Sequence, residues 1–211
     1  FSKDDSYVEI NRKLSILEYA VGELEEEALS GTFFFNLGMM EYTYARKRLA
    51  SIDYLNTALK KFELESPDDL SRMANLKYQR GYIKSTTQKY RSAAKEDLYE
   101  ALKIWDAKPE WEYEADMAKD HLGYVLSDQP EHYEEAESYL RAACSSRERR
   151  FNRDPSIQNQ KDYATTCDNL GCLLMVSDPT APDTGAYLEK ALHIRDSILD
   201  QIGGNETDVA W

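Results

Sequence analysis

A glycine followed twenty residues later by an alanine occurs four times in this 211-residue chain. The pairs are Gly38 and Ala58, Gly81 and Ala101, Gly123 and Ala143, and Gly171 and Ala191. Successive glycines of these pairs stand 43, 42 and 48 residues apart, which is the length of a supersecondary unit rather than of a single helix or strand. The spacing therefore predicts a chain built from one repeated unit.

The positions between each glycine and its alanine repeat as well. The residue seven before the alanine is small, and the residue three before it is leucine; these columns are Ser51, Ala94, Ala136 and Thr184, and Leu55, Leu98, Leu140 and Leu188. Such spacing places the small and leucine side chains on one face of a helix. A glycine inside a helix costs about 1 kcal/mol relative to alanine, and the close approach of a second helix would explain it. The predicted unit is a helical hairpin, with the glycine in its first helix.

Helix breakers and capping residues place the boundaries of nine predicted helices. Ser66 followed by Pro67 is typical of a helix start, and Gly22 is expected to break or bend the first helix. No glycine or proline separates the two helices of the first hairpin, so one long helix is the alternative there. The predicted helices span 6–29, 31–45, 48–63, 67–86, 88–106, 110–127, 131–150, 157–176 and 184–202.

These columns resemble the tetratricopeptide repeat, which places Leu-Gly in a first helix and a small residue, leucine and alanine in the second. Leu-Gly stands here at 37–38, 122–123 and 170–171. The period exceeds the usual 34 or so, one extra residue separates the helices, and the early tryptophan is missing. Together with segments 133–143 and 164–171, the long period resembles the longer-helix variety found in kinesin light chains.

The resemblance covers about residues 31–202 and implies an all-α fold, a right-handed α-solenoid of about four hairpins plus an N-terminal helix. The implied organisation is an N-terminal helix or capping segment, a repeat domain over 31–202 and a C-terminal tail; the segments are 1–30, then the hairpins 31–63, 67–106, 110–150 and 157–202, then 203–211. The resemblance further implies that the hairpins stack and present a concave surface, and hence that the chain binds a protein or peptide rather than catalysing a reaction.

In the resembling family, first-helix side chains near the glycine line a concave groove. The corresponding residues are Phe35, Asn36, Met39, Tyr78, Gln79, Tyr82, Asp120, His121, Tyr124, Asp168 and Asn169. The amide and imidazole groups two before each glycine suit the backbone of an extended peptide, or alternatively they tie neighbouring repeats together. The aromatic side chains would form pockets, although core packing is the alternative for any single tyrosine.

The expected ligand is a protein or peptide with apolar or aromatic side chains, or basic ones, rather than a C-terminal acidic tail. The family's carboxylate-binding members carry asparagine just after the glycine, where this chain has Met39, Tyr82, Tyr124 and Cys172. The acids Asp120 and Asp168 would also repel a carboxylate. Two further roles stay open. One is an assembly subunit whose helix ends or convex surface join a larger complex or form a homodimer, for which the hydrophobic tail 209–211 is a hint that the chain is a fragment. The other is a peptide-sensing regulator that changes its superhelical pitch.

Charge and motif content point away from other classes of function. A net charge of −13 disfavours nucleic acids and anionic membranes, and no run of about 18 apolar residues is present. The three cysteines are interpreted as small apolar residues of a reducing compartment, which favours the cytoplasm. Without a phosphate loop, dinucleotide fingerprint, nucleophile elbow or metal-ligand spacing, we expect no catalytic residue, metal or cofactor, and hence no enzyme.

Overall fold

The computed structural model describes residues 7–24, 28–44, 46–180 and 183–203, and this part of the chain is helical with no β-strand. The all-α prediction is therefore confirmed for the described residues. Short 3-10 turns occupy Gln88–Tyr90, Pro109–Trp111 and Pro130–His132. The α-helices are α1 (Tyr7–Glu23), α2 (Gly31–Thr43), α3 (Arg48–Glu65), α4 (Leu70–Ser85), α5 (Arg91–Trp105), α6 (Glu112–Leu126), α7 (Tyr133–Arg153), α8 (Ile157–Ser177) and α9 (Thr184–Gln201).

The chain divides into two compact units, which we name the N-terminal unit (Phe1–Pro109) and the C-terminal unit (Glu110–Trp211). In the N-terminal unit α2 packs on α3 and α4 on α5, and α3 also contacts α4. In the C-terminal unit α6 packs on α7 and α8 on α9, and α7 contacts α8. The predicted packing of consecutive helices in pairs is therefore confirmed.

The glycines of the repeated pattern lie where two helices approach most closely. A Cβ atom added to Gly81 would lie 2.9 Å from Leu98 Cγ, and one added to Gly171 would lie 2.7 Å from Leu188 Cγ. Gly38 and Gly123 face Leu55 and Leu140 in the same way. Carbon atoms do not approach this closely without a shift, so the missing side chain lets each first helix pack against the leucine of its second helix.

The first hairpin consists of two helices, and the alternative of one continuous helix is wrong. Helix α2 ends at Thr43 and α3 begins at Arg48. Between them Arg46 has a φ of 56°, in the left-handed region that a continuous right-handed helix does not use. This residue turns the chain without glycine or proline, which is why the sequence left the boundary open.

Several helix boundaries differ from the predictions by a few residues, and two of the differences have a clear local cause. Helix α4 begins at Leu70 rather than at Pro67, because Ser66 closes α3 by donating its N–H to the Phe62 carbonyl at 2.9 Å. Helix α1 continues through Gly22 and ends at Glu23, where a glycine one residue from the end costs little. Residues 25–27 of the predicted first helix and residues 204–211 of the tail lie outside the described part of the chain.

Asp69 caps α4 and gives a first testable prediction. Its side chain accepts a hydrogen bond from the Arg72 N–H at 3.0 Å, and its charge lies at the positive end of the helix. We expect Asp69→Ala to lower the free energy of unfolding by about 1 kcal/mol, measured by urea denaturation. Asp68→Ala removes the same charge from the neighbouring exposed residue. An equal loss in both variants would contradict the capping role.

Candidate functional site

In the N-terminal unit, four of the first-helix side chains form one surface, which we name the aromatic patch (Phe35, Met39, Tyr42 and Tyr82). All four are half-buried and pack on a core cluster formed by Ile52, Leu55 and Ile83. The Tyr42 and Tyr82 rings meet edge to face with centroids 5.9 Å apart. Because these side chains are only partly buried, their apolar edges are open to a ligand, while the buried core cluster beneath them holds them in place.

Tyr78 belongs to the core below this patch. It is only 6% exposed, its ring lies 5.4 Å from the Trp105 ring, and it stacks on Tyr82 at 6.4 Å. Burial, together with the hydrogen bond to Tyr42, raises the pKa of Tyr82 to about 12, so its hydroxyl remains protonated at neutral pH. On the same first helices, Asn36 is exposed and Gln79 is half-buried.

In the C-terminal unit, the equivalent first helices expose apolar side chains, which we name the apolar strip (Tyr124, Cys172, Met175 and Val176). Cys172, Met175 and Val176 share one face of α8 because they are spaced by three and four residues. Met175 is 49% and Val176 59% exposed, and Tyr124 is 37% exposed on α6, a helix that contacts α8. The opposite face of α8 supplies Leu170, Leu173 and Leu174 to the core, so the helix is apolar on both sides.

The charged members of the predicted groove are engaged inside the C-terminal unit. Asp120 is 2% exposed; its carboxylate lies 3.3 Å from Arg147 Nη1 and accepts a hydrogen bond from Asn169 Nδ2 at 3.2 Å. Asp168 forms an ion pair with Arg195 of α9. Both carboxylates are therefore neutralised by arginines. Asn169 connects α8 to α6, which agrees with the alternative that the residues two before each glycine hold neighbouring hairpins together.

His121, the imidazole member of that column, is also engaged within its own helix. Its Nδ1 lies 2.9 Å from the carbonyl oxygen of Met117, which can only accept a hydrogen bond. Burial lowers the pKa of His121, and the nearby Asp120 charge opposes this only in part. The side chain is therefore neutral at physiological pH, with Nδ1 as the protonated nitrogen.

Arg147 is buried and contacts several polar groups of this unit, and the sequence analysis did not identify this role. Besides Asp120, its guanidinium donates to Thr166 Oγ1 at 2.5 Å and to the Asp162 carbonyl at 2.9 Å. A signal was available: α6 carries acids at every fourth position, and α7 carries arginines that meet them. The pairs that follow this pattern are Glu112 with Arg149, Asp116 with Arg150, and Asp120 with Arg147.

The three cysteines divide into two environments. Cys144 and Cys167 are buried with their sulfur atoms 3.8 Å apart, whereas Cys172 is exposed in the apolar strip. Partial burial, followed by the Asp168 charge, raises the pKa of the Cys172 thiol, so it reacts slowly at neutral pH and faster as the pH rises. The interpretation as small apolar residues fits the first two cysteines better than Cys172.

This division predicts selective alkylation. We expect iodoacetamide to modify one thiol per folded chain, at Cys172, and all three in denaturant, as measured by intact mass. The buried pair stays unmodified because the reagent cannot reach it without local unfolding. Cys172→Ser should abolish modification of the folded chain. Rapid modification of Cys144 or Cys167 would contradict their burial.

Within the described ranges, no cluster of three or more His, Cys, Asp or Glu side chains is arranged to hold a metal ion. The same ranges contain no helix with the length and apolar character needed to cross a membrane. Comparison with protein-family models gives no match to this chain, and comparison with curated protein sequences gives none either.

Proposed function

We propose that this chain is a non-catalytic protein-interaction module that binds an extended segment of a partner protein along the first helices of its hairpins. In this proposal the hairpins belong to a right-handed α-solenoid of the tetratricopeptide type, with about four repeats. The proposed setting is the cytoplasm, where the three thiols would remain reduced. Binding energy would come mainly from apolar and aromatic side chains of the partner.

The observation that carries the proposal is the apolar strip. A helix normally buries its apolar face and exposes polar side chains, yet α8 exposes Met175 and Val176 opposite a fully packed face. Contiguous exposed apolar side chains mark a surface that another molecule covers. Tyr124 and Cys172, which also belong to the strip, stand at equivalent positions one residue after Gly123 and Gly171.

The aromatic patch of the N-terminal unit supports the same role independently. Its tyrosines combine a large apolar area with a polar hydroxyl and few rotatable bonds, which is the composition of surfaces that bind peptides tightly. Asp120 and Asp168 no longer favour a basic ligand, because arginines of the same unit already neutralise them. The preferred partner side chains are therefore apolar and aromatic.

The experiment compares binding of peptides selected from a displayed random library. We expect Met175→Ser with Val176→Ser to weaken binding roughly tenfold or more, because truncating a central apolar contact commonly costs over 1 kcal/mol. The matched control is Leu64→Ser with Leu192→Ser, which removes exposed leucines from second helices. Equal affinity in both double variants would count against the apolar strip as the binding surface.

A second candidate, self-association as part of an assembly, is favoured by α1. This helix exposes Val8, Ile16 and Tyr19 at 76%, 56% and 68%, respectively. We expect light scattering at increasing concentration to show a dimer that Tyr19→Ser weakens, if α1 forms a homodimer interface. A monomer at all concentrations would exclude this candidate.

A peptide-sensing regulator would instead show a decreased radius of gyration when peptide binds.

A further inference from the structure

A cleft of about 600 Å³ lies in the N-terminal unit, where two helix connections come together. One wall is the end of the α2–α3 connection and the first turn of α3, residues 46–50. The other wall is formed by Thr87 and Lys89, in the connection between α4 and α5. The cleft therefore belongs to two neighbouring hairpins of the same unit.

The charge of this cleft is opposite to that of the chain. Four of its seven lining residues are basic and none is acidic, although the chain holds 39 acidic and 26 basic residues. Arg46, Lys47 and Arg48 form the only run of three basic residues in the sequence, and Lys89 lines the same cleft. A concentration of one charge sign against the overall trend is typical of a site for the opposite charge.

Only one of the four cations is neutralised within the fold. Lys47 Nζ lies 3.0 Å from Glu18 and 3.5 Å from the buried Glu41 carboxylate. Arg46, Arg48 and Lys89 are exposed and form no ion pair with a carboxylate in the part of the chain that the structure describes. Three positive charges thus remain available to a ligand at one place.

The first turn of α3 adds to this arrangement. It contains no acidic residue, and no side chain caps its N–H groups. Helices normally place acids at this end, because the backbone N–H groups there carry partial positive charge. Here the first-turn residues Arg48, Leu49 and Ala50 line the cleft together with further cationic residues. An anion bound between the cations would relieve their repulsion of one another and of the helix end.

We propose that this cleft binds a phosphate group carried by a side chain of the partner segment. Two guanidinium groups and one ammonium group match a phosphate monoester of about two negative charges, and guanidinium groups form paired hydrogen bonds with phosphate oxygens. A carboxylate, with one charge, would leave most of the cationic charge uncompensated. The net charge of −13 repels free anions at long range, so the cleft attracts a phosphate group only at short distance. This favours a phosphate group carried by a segment that is already bound.

The position of the cleft fits a segment that also contacts the aromatic patch. Arg48 stands one helical turn before Ile52, which lies in the floor of that patch. Only in this respect does the inference rest on the proposed function: the partner segment would place an apolar side chain on the patch and its phosphorylated residue in the cleft. Phosphorylation of the partner would then control binding.

The first test titrates the full chain with inorganic phosphate at constant ionic strength and monitors the backbone amide resonances by NMR. We expect saturable shifts at residues 48–50 and at Thr87, which Arg46→Ala, Arg48→Ala and Lys89→Ala together abolish. The control variant Lys60→Ala, Lys103→Ala and Arg153→Ala removes the same charge from exposed positions elsewhere. Shifts spread over the surface, or lost equally in both triple variants, would overturn the proposal.

The second test separates free phosphate from phosphate on a partner. A random peptide library with a central phosphoserine is compared with the same library carrying serine. We expect the phosphorylated library to be retained roughly tenfold better, and this preference to vanish only in the cleft variant. Binding of inorganic phosphate without preference for phosphorylated peptides would overturn the partner-borne source. Because the inorganic phosphate test does not involve the apolar strip, failure of the proposed function is measured separately by the Met175 and Val176 variants.

Discussion

Arg147→Met is expected to lower the free energy of unfolding by about 3–5 kcal/mol. The substitution keeps most of the side-chain volume but removes the guanidinium that neutralises Asp120, which is 2% exposed. Asp120 would then retain the hydrogen bond from Asn169 but lose its counter-charge. A buried carboxylate without its counter-charge is far more costly than the loss of a surface ion pair.

The matched control is Arg149→Met, two residues along the same helix. Arg149 is 68% exposed on its side chain and pairs with the exposed Glu112, so we expect a change of less than about 1 kcal/mol. Adding Asp120→Asn to Arg147→Met should recover part of the lost stability, because it removes the unpaired charge. Urea denaturation measures all three. Equal effects of the two arginine substitutions would contradict a stabilising role of the buried ion pair between Arg147 and Asp120.

Gly123→Ala is expected to destabilise the chain by roughly 1–3 kcal/mol, although alanine favours helices. The added Cβ would overlap Leu140, which is fully buried, and would lie 3.1 Å from the Ala136 carbonyl oxygen. Since neither a buried leucine nor a helix backbone can move freely, α6 and α7 must separate. The gain of about 1 kcal/mol in helix propensity does not offset this separation.

Gly185→Ala is the matched control for this substitution. Gly185 is exposed in the first turn of α9, and a Cβ added there meets no atom within 4 Å. We expect it to stabilise the chain by a few tenths of a kcal/mol to about 1 kcal/mol, because alanine restricts the unfolded chain. Urea midpoints that shift in the same direction for both glycines would contradict the packing role of Gly123.

The helical pairs could be predicted because one physical constraint fixes several residues at once. Close approach of two helices at Gly123 requires a small residue on the second helix, Ala136, and a leucine one turn later, Leu140. Equivalent residues recur at the same spacing in each repeat. Helix starts are less determined, since Ser66 and Asp69 are both good capping residues. The structure uses Ser66 to end α3 and Asp69 to begin α4, an outcome that depends on the path of the chain between them.

The sequence did not predict the environment of the candidate site residues. Tyr78 and Tyr82 are four residues apart on the same helix, yet Tyr78 is buried because Trp105 of α5 covers it. Sequence columns give the angle at which a side chain leaves its helix, but not which neighbour covers it. Asp120 shows the same limit, since its burial depends on Arg147, a residue outside the repeated columns. The cationic cleft forms from two connections, where the repeat pattern makes no prediction.

The reactivity of Cys172 reports whether a partner segment covers the apolar strip. The measurement is the rate of Cys172 alkylation with and without a saturating peptide from the displayed library. The control is Cys172→Ser with Ser145→Cys, which moves the reactive thiol to an exposed position on α7, a second helix. We expect the peptide to slow alkylation at Cys172 roughly tenfold and to leave the control rate unchanged. Alkylation of Cys172 at the same rate with peptide bound would contradict this expectation.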